Sequence, residues 1–420
     1  MKPKLLTTMR DYTPRLFLSD LFAGVSVALV AIPLSIAIAI ASGAPPEAGL
    51  VTAIVAGFLI SALGGSRVQI GGPTGAFIVV VYSVIAEHGY DGLVLATLMA
   101  GIILVVAGLL RAGTLIAHVP EAVVNGFTIG IAIVIAASQL RDLTGIEAPG
   151  LPADFLPKMA ALWSARESAN WMAVAVGGAT LLTIAACRKW LPRVPDRLAG
   201  TVLVSVVAAL ALLPVATIAT QYGALPHGLP TPSLPEVTGS RLVELLPSAF
   251  VIAFLAAVES LLSAMVADRM IGGSHRPNAE VMAQGWGNIG SALFGGLPAT
   301  GAIARTATNV RAGGKTPVAG MIHAVVILLV LLTAAPLAGC LAMPALAALL
   351  MMTAWNMSEP HKWRGYWAAP NEERLLLLLT LLLTVLADLT VAIGVGVGVG
   401  LAIRLRASKL KAEEWRTPEP

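Results

Sequence analysis

The sequence predicts an all-α polytopic membrane protein with about 14 transmembrane segments in two inverted seven-span repeats. The third and tenth spans are expected to be half-helices preceded by short strands. Three observations predict this. First, of 420 residues, 57% are hydrophobic and only 12% charged, with a mean hydropathy of +0.84, which lies outside the range of soluble domains. Second, two stretches, 68–81 and 297–316, are broken by Gly and Pro where a spanning helix would have to continue. Third, the basic residues divide unequally between alternate loops, as they do when Lys and Arg gather on the cytoplasmic side of a bilayer.

The chain begins MKPKLLTTMRDYTPRLF, a basic and polar segment without a small-residue cleavage pattern, so 1–17 is expected to be uncleaved and cytosolic. Hydropathy then places spans near 18–42, 46–64, 68–86, 91–111, 119–140, 169–188 and 198–216, which form a first repeat over 18–216. A proline-rich extracytoplasmic linker covers 217–245. The second repeat, 246–406, has spans near 246–268, 280–294, 302–312, 317–334, 337–354, 373–389 and 391–406, and a cytosolic tail follows over 407–420. With the N-terminus inside, inner segments hold 22 of the 27 basic residues, outer ones hold Arg141, Lys158, Arg166 and Arg241, and Arg305 stays within the membrane. Both termini are then cytosolic, in a plasma membrane of the bacterial inner-membrane kind. Seven spans are an odd number, so the second half enters the bilayer inverted. The interrupted segment is the third of each half, where that symmetry requires matching parts.

The first interrupted stretch, VQIGGPTGAFIVVV, breaks at Gly71, Gly72 and Pro73 and restarts as an apolar helix whose N-terminus carries Thr74 and Gly75. In the second, LPATGAIARTATNVRAGGKT, Gly295, Gly296 and Pro298 forbid helix before it. Gly313, Gly314 and Pro317 close it, leaving helix from about Ile303 to Ala312. A half-helix N-terminus at membrane depth offers free N–H groups and the positive end of a dipole, to which Arg305 adds a guanidinium. A small anion fits there.

Of the charges left within apolar runs, Glu259 is foremost, near the middle of PSAFVIAFLAAVESLLSAMVAD. Ser263 follows one turn later, so both are expected to face one cavity. A carboxylate in such a span is a functional hypothesis by default, and it can gain and lose a proton during a transport cycle. The plainer alternative is a static ion pair between Glu259 and Arg305. Asn278, Glu280, Gln284 and Asn288 line one amphipathic segment and suit packing and backbone satisfaction better than substrate contact. Asp268 is expected to be solvated or to cap its helix, Asp388 to sit in a turn, and Gly394, Gly396, Gly398 and Gly400 to serve helix packing. The six histidines lack metal-ligand spacing, Cys187 and Cys340 read as buried thiols, and no Walker motif is present. The sequence therefore points to no enzyme, metal, cofactor or nucleic-acid partner, and to transport driven by an ion gradient or by exchange.

Particular residues carry a further resemblance. IPLSIAIAIASGAPPEAGLVTAIVAG, from Ile32 to Gly57, resembles the signature of the SulP sulfate permease family at Gly43, Pro45, Gly49 and Leu50, with Val51 where a tyrosine is usual. Gly71 to Pro73, ESLLSA from Glu259, the run from Asn278 to Asn288 and AR…GGKT from Ala304 to Thr316 extend the likeness over nearly the whole chain. The resemblance implies a uracil-permease-like fold, with core and gate domains and substrate held between the third and tenth spans. It implies transport of sulfate, bicarbonate, chloride, oxalate or dicarboxylates. Thr74, Gly75, Ala304 and Arg305 would line the anion site, with Leu34 and Ile38 facing it from the first span. Leu34 stands where some relatives have a polar side chain. Glu259 replaces the Asp of sodium-coupled bicarbonate relatives, which leans toward a proton as coupling ion with sodium as the alternative. Members usually carry a cytosolic STAS domain, and the sequence through Pro420 contains no such segment.

The resulting expectation is a proton-coupled symporter of a small inorganic or carboxylic anion, embedded in the lipid bilayer and with a homodimer as a candidate assembly. An anion exchanger or chloride-type channel, a nucleobase permease and a non-transporting membrane sensor or scaffold are the alternatives.

Overall fold

A computed structural model describes residues 2–116, 121–148, 150–152, 154–191 and 195–387, together with 391, 395, 398 and 399. Most of the expected last span, the C-terminal tail, Asp388, Gly394, Gly396 and Gly400 lie outside the described residues.

The first half contributes α1 (Pro14–Ala41), α2 (Pro46–Leu63), strand β1 (Gly71–Gly72), α3 (Ile78–Leu109), α4 (Glu121–Thr144), α5 (Trp171–Trp190) and α6 (Asp196–Leu210). The second contributes α7 (Gly239–Ile271), α8 (Pro277–Leu293), strand β2 (Thr300–Gly301), α9 (Ile303–Arg311), α10 (Val318–Gly339), α11 (Met343–Met357) and α12 (Asn371–Leu386). Seven helical stretches among the described residues are long and apolar enough to cross a membrane. The nine residues of α9 reach only about 14 Å at 1.5 Å per residue, half a hydrocarbon core.

Local chemistry sets the ends. Thr13 Oγ1 accepts from Leu16 N at 3.3 Å, ahead of Pro14 at the first helical position. Thr238 caps α7 in the same way, accepting from Arg241 N at 3.4 Å, so helix begins inside the stretch expected to be linker. Gly272, with φ 64°, ends α7 in the left-handed conformation. Hydropathy separates the third and fourth spans, and the structure has two helices there: the helical residues of α3 fall on either side of Gly89, whose φ of 72° and ψ of 179° are non-helical. Residues 68–74 precede that helix as extended chain.

The helices sort into two bodies. α1, α2, α3, α7, α8, α9 and α10 pack chiefly on one another, and α4, α5, α6, α11 and α12 do likewise. Inside the first body, α3 and α8 cross at Gly101 and Gly285. A Cβ on Gly101 would lie 2.9 Å from the Gly285 carbonyl oxygen and one on Gly285 2.7 Å from that of Gly101, so the crossing needs both glycines. The bodies meet along α1 and α11, and where the turn Gly75–Phe77 abuts α4 and α11. This division matches the core and gate that the resemblance implies. A segment following α4 also touches the core. Tyr82 Oη, on α3, donates to the Leu151 carbonyl at 2.9 Å, and Lys158 Nζ lies 4.9 Å from the centre of the Tyr82 ring.

Candidate anion-binding site

The two interrupted segments meet in the core. β1 and β2 pair antiparallel, Gly71 opposite Gly301 and Gly72 opposite Thr300. Each strand leads directly into a half-helix: β1 into the turn Gly75–Phe77 that opens α3, β2 into α9. Flanking bonds fix the pair. Ala302 N donates to Ile70 O at 2.9 Å, Ile70 N to Thr306 Oγ1 at 3.1 Å and Asn309 Nδ2 to Val68 O at 2.8 Å. Neither N-terminus is capped by its own side chain, since Thr74 and Ala302 make no cap hydrogen bond. Their first N–H groups are left for a ligand.

A cavity of about 360 Å³ lies between the two bodies at these N-termini. Its wall includes Leu34 and Ile38 from α1, Thr74 and Gly75 from the first half-helix, Ala304 and Arg305 from the second, and Glu259 from α7. Phe254, Val258 and Leu262 make much of the rest apolar, so the polar groups act in a low dielectric. From there the cavity extends to Glu121 and Arg197 in the first turns of α4 and α6, Arg269 in the last turn of α7, and Lys362.

Thr74 Oγ1 donates to Glu259 Oε2 at 2.9 Å, tying the carboxylate to the residue that opens the half-helix. Arg305 is 2% exposed, and its Nη2 donates to Ser35 Oγ at 3.0 Å. Among the described residues, Glu259 and Arg305 form no ion pair, which removes the static-pair alternative in this conformation. Ser263 needs correction. It is enclosed between helices and donates to Thr306 Oγ1 at 3.2 Å, off the cavity wall, because a four-residue offset puts it on the side of α7 that meets α9.

The polar run on α8 has the packing role expected of it. Glu280 Oε2 accepts from Gly65 N at 2.9 Å and Ser66 N at 3.0 Å. Its Oε1 accepts from Gln69 Nε2 at 3.1 Å, Ser260 Oγ at 3.0 Å and Gln284 Nε2 at 2.7 Å. Asn288 holds the approach to β2 by exchanging hydrogen bonds with Ala299 N and O, and Asn278 Oδ1 accepts from Gly113 N at 3.1 Å. Asp268 Oδ2 accepts from His275 N at 2.8 Å beyond the end of α7, a capping role. Among the described residues, no group of three or more His, Cys, Asp or Glu side chains could hold a metal ion.

Residues 17–380 match the sulfate permease family. The chain belongs to that family. The chain is 43% identical over 386 residues to YvdB of Bacillus subtilis (strain 168), a match covering 91% of this chain and 72% of YvdB. It is 31% identical over 340 residues to the bicarbonate transporter BicA of Picosynechococcus sp., covering 79% of this chain and 60% of BicA. The solved transmembrane domain of a cyanobacterial BicA superposes with a TM-score of 0.82 at 30% identity, covering 91% of this chain and 99% of that one. The chain is therefore a multi-pass membrane protein with the inverted-repeat fold. Two polar residues beside the site escape a sequence reading. Ser35 was detectable as the one hydroxyl in IPLSIAIAI, and His323 carries no signal, being a lone imidazole in an apolar helix.

Proposed function

We propose that this member of the family is a secondary transporter of a small inorganic or carboxylic anion of the sulfate, bicarbonate or C4-dicarboxylate class, coupled to protons. The observation that carries the reading is the convergence of two uncapped half-helix N-termini and Arg305 on one cavity between two separately packed bodies. The N–H groups and guanidinium would bind the anion. Glu259, bonded to Thr74, would carry the proton, because its protonation state is tied to the cap of the anion-binding half-helix. The likeness to BicA supports an anion over a neutral ring. The cavity extends to helix ends that charge distribution assigns to the cytosol, so the conformation is read as inward-facing. Movement of the core against the gate would expose the site to the other side. Cytosolic termini, the bacterial inner membrane and a homodimer belong to the same reading.

Uptake of labelled sulfate, bicarbonate and fumarate into proteoliposomes under an inward proton gradient tests it, with Arg305→Ala and Glu259→Gln beside the wild type. Gradient-driven uptake of one anion, lost in both variants, is the expected result. Flux that ignores the proton gradient, with Glu259→Gln as active as wild type, removes the coupling and leaves an exchanger or channel.

A further inference from the structure

His323, on α10, has no task in the transport reading above. It is fully enclosed, and neither ring nitrogen has a hydrogen-bond partner. Arg305 has the complementary deficiency: Nη2 donates to Ser35, while Nε and Nη1 are enclosed without an acceptor. A neutral imidazole offers one lone pair, and a guanidinium offers five donors.

The two side chains converge on the same short strand. Arg305 Nη1 lies against Gly72, where a Cβ would overlap it. His323 faces Gly57 of α2, and a Cβ built there would lie 3.9 Å from His323 Cε1 and 3.1 Å from the Gly71 carbonyl oxygen. Arg305 is also the charged group whose field reaches His323. Held by Ser35 alone, the guanidinium has an alternative partner on the same cavity wall, the carboxylate of Glu259. That pairing would neutralise the charge an anion needs.

We propose that His323 is a positioning residue for anion binding. Its ring nitrogen accepts from one free donor of Arg305 through a bridging water. Together with Ser35 it holds the guanidinium beside the half-helix N-termini and away from Glu259. The inference rests on Arg305 being the anion-binding cation.

The test is the concentration dependence of labelled sulfate, bicarbonate and fumarate uptake by reconstituted wild type, His323→Leu, His323→Gln and Arg305→Ala. His323→Leu should raise KM about tenfold with kcat within about twofold, and His323→Gln, whose amide oxygen can accept the same bond, should stay within about threefold of wild-type KM. A loss of packing alone would not separate Leu from Gln. If the Leu variant does not fold, His323→Ala against His323→Asn repeats the comparison with smaller side chains. An unchanged KM in the apolar variant, or equal KM in the apolar and amide variants, overturns the proposal. Arg305→Ala separates the two levels. If it raises KM and His323→Leu does not, only this inference falls; if neither does, or wild type moves none of the three anions, the site reading falls with it.

Discussion

At the residue scale, the carboxylates of Glu259 on α7 and Glu280 on α8 divide two tasks between them. Glu280 accepts five hydrogen bonds, three from the loop before β1, one from α7 and one from α8 itself, so removing it orphans donors at both that loop and the α7–α8 contact. Each orphaned buried donor costs about 1–3 kcal/mol. Glu280→Ala should therefore destabilise the protein by at least about 3 kcal/mol, seen as a lower apparent melting temperature in detergent. An unchanged midpoint would mean that this network is dispensable. Glu259 accepts one hydroxyl bond and faces the cavity, so Glu259→Gln should leave that midpoint nearly unchanged. The sequence made Glu259 and Arg305 legible because a charge in an apolar run is visible without coordinates. It misplaced Ser263, because two residues four apart share a broad helix face and only the position of α9 decides which part of that face is wet. Ser35 and His323 acquire meaning only from the crossing of α1, α2 and α10 near Arg305, which no spacing along one helix encodes.

At the element scale, the half-helices were readable because Gly and Pro interrupt hydrophobic runs at matching places in the two halves. Hydropathy separated the third and fourth spans at Glu87, His88 and Asp91, which lower the local average, but could not say that the single non-helical glycine Gly89 makes the joint. Nor could it find the first turns of α7, where Arg241 and Glu244 dilute the apolar signal. The β1–β2 pair is the most exacting element. Gly72 leaves no room for a Cβ against Arg305 Nη1, so Gly72→Ala must displace the guanidinium or open the strand pair. We expect anion uptake to fall more than about tenfold while the variant still reaches the membrane. Wild-type uptake by Gly72→Ala would show that Arg305 tolerates displacement.

At the scale of the whole molecule, the partition into two bodies makes their few mutual contacts the place where conformations are balanced. Tyr82 belongs to the core, whereas Leu151 and Lys158 belong to the segment that follows α4 of the gate. In the proposed topology that segment lies on the outer side, so these contacts should break when the cavity opens outward. A neutral hydrogen bond contributes about 1 kcal/mol, equivalent to roughly a fivefold change in an equilibrium. Tyr82→Phe should accordingly raise labelling from the outer side of a single cysteine introduced as Leu34→Cys on a cysteine-free background by about that factor. Equal labelling would mean that the contact does not report on the transition.

The antiparallel pairing of Gly71–Gly72 with Thr300–Gly301 also bears on how such a chain could arise. Either half alone has one strand edge, one half-helix and half of the cavity wall, so neither is a receptor by itself. An ancestral half-length protein could have built this site only by associating with a copy of itself inserted upside down in the same membrane. The two halves contribute different chemistry, a threonine at one N-terminus and an arginine at the other. Coexpression of residues 1–230 and 231–420 as separate chains should therefore recover function that neither fragment has, since the strand pair reunites the halves without the covalent link.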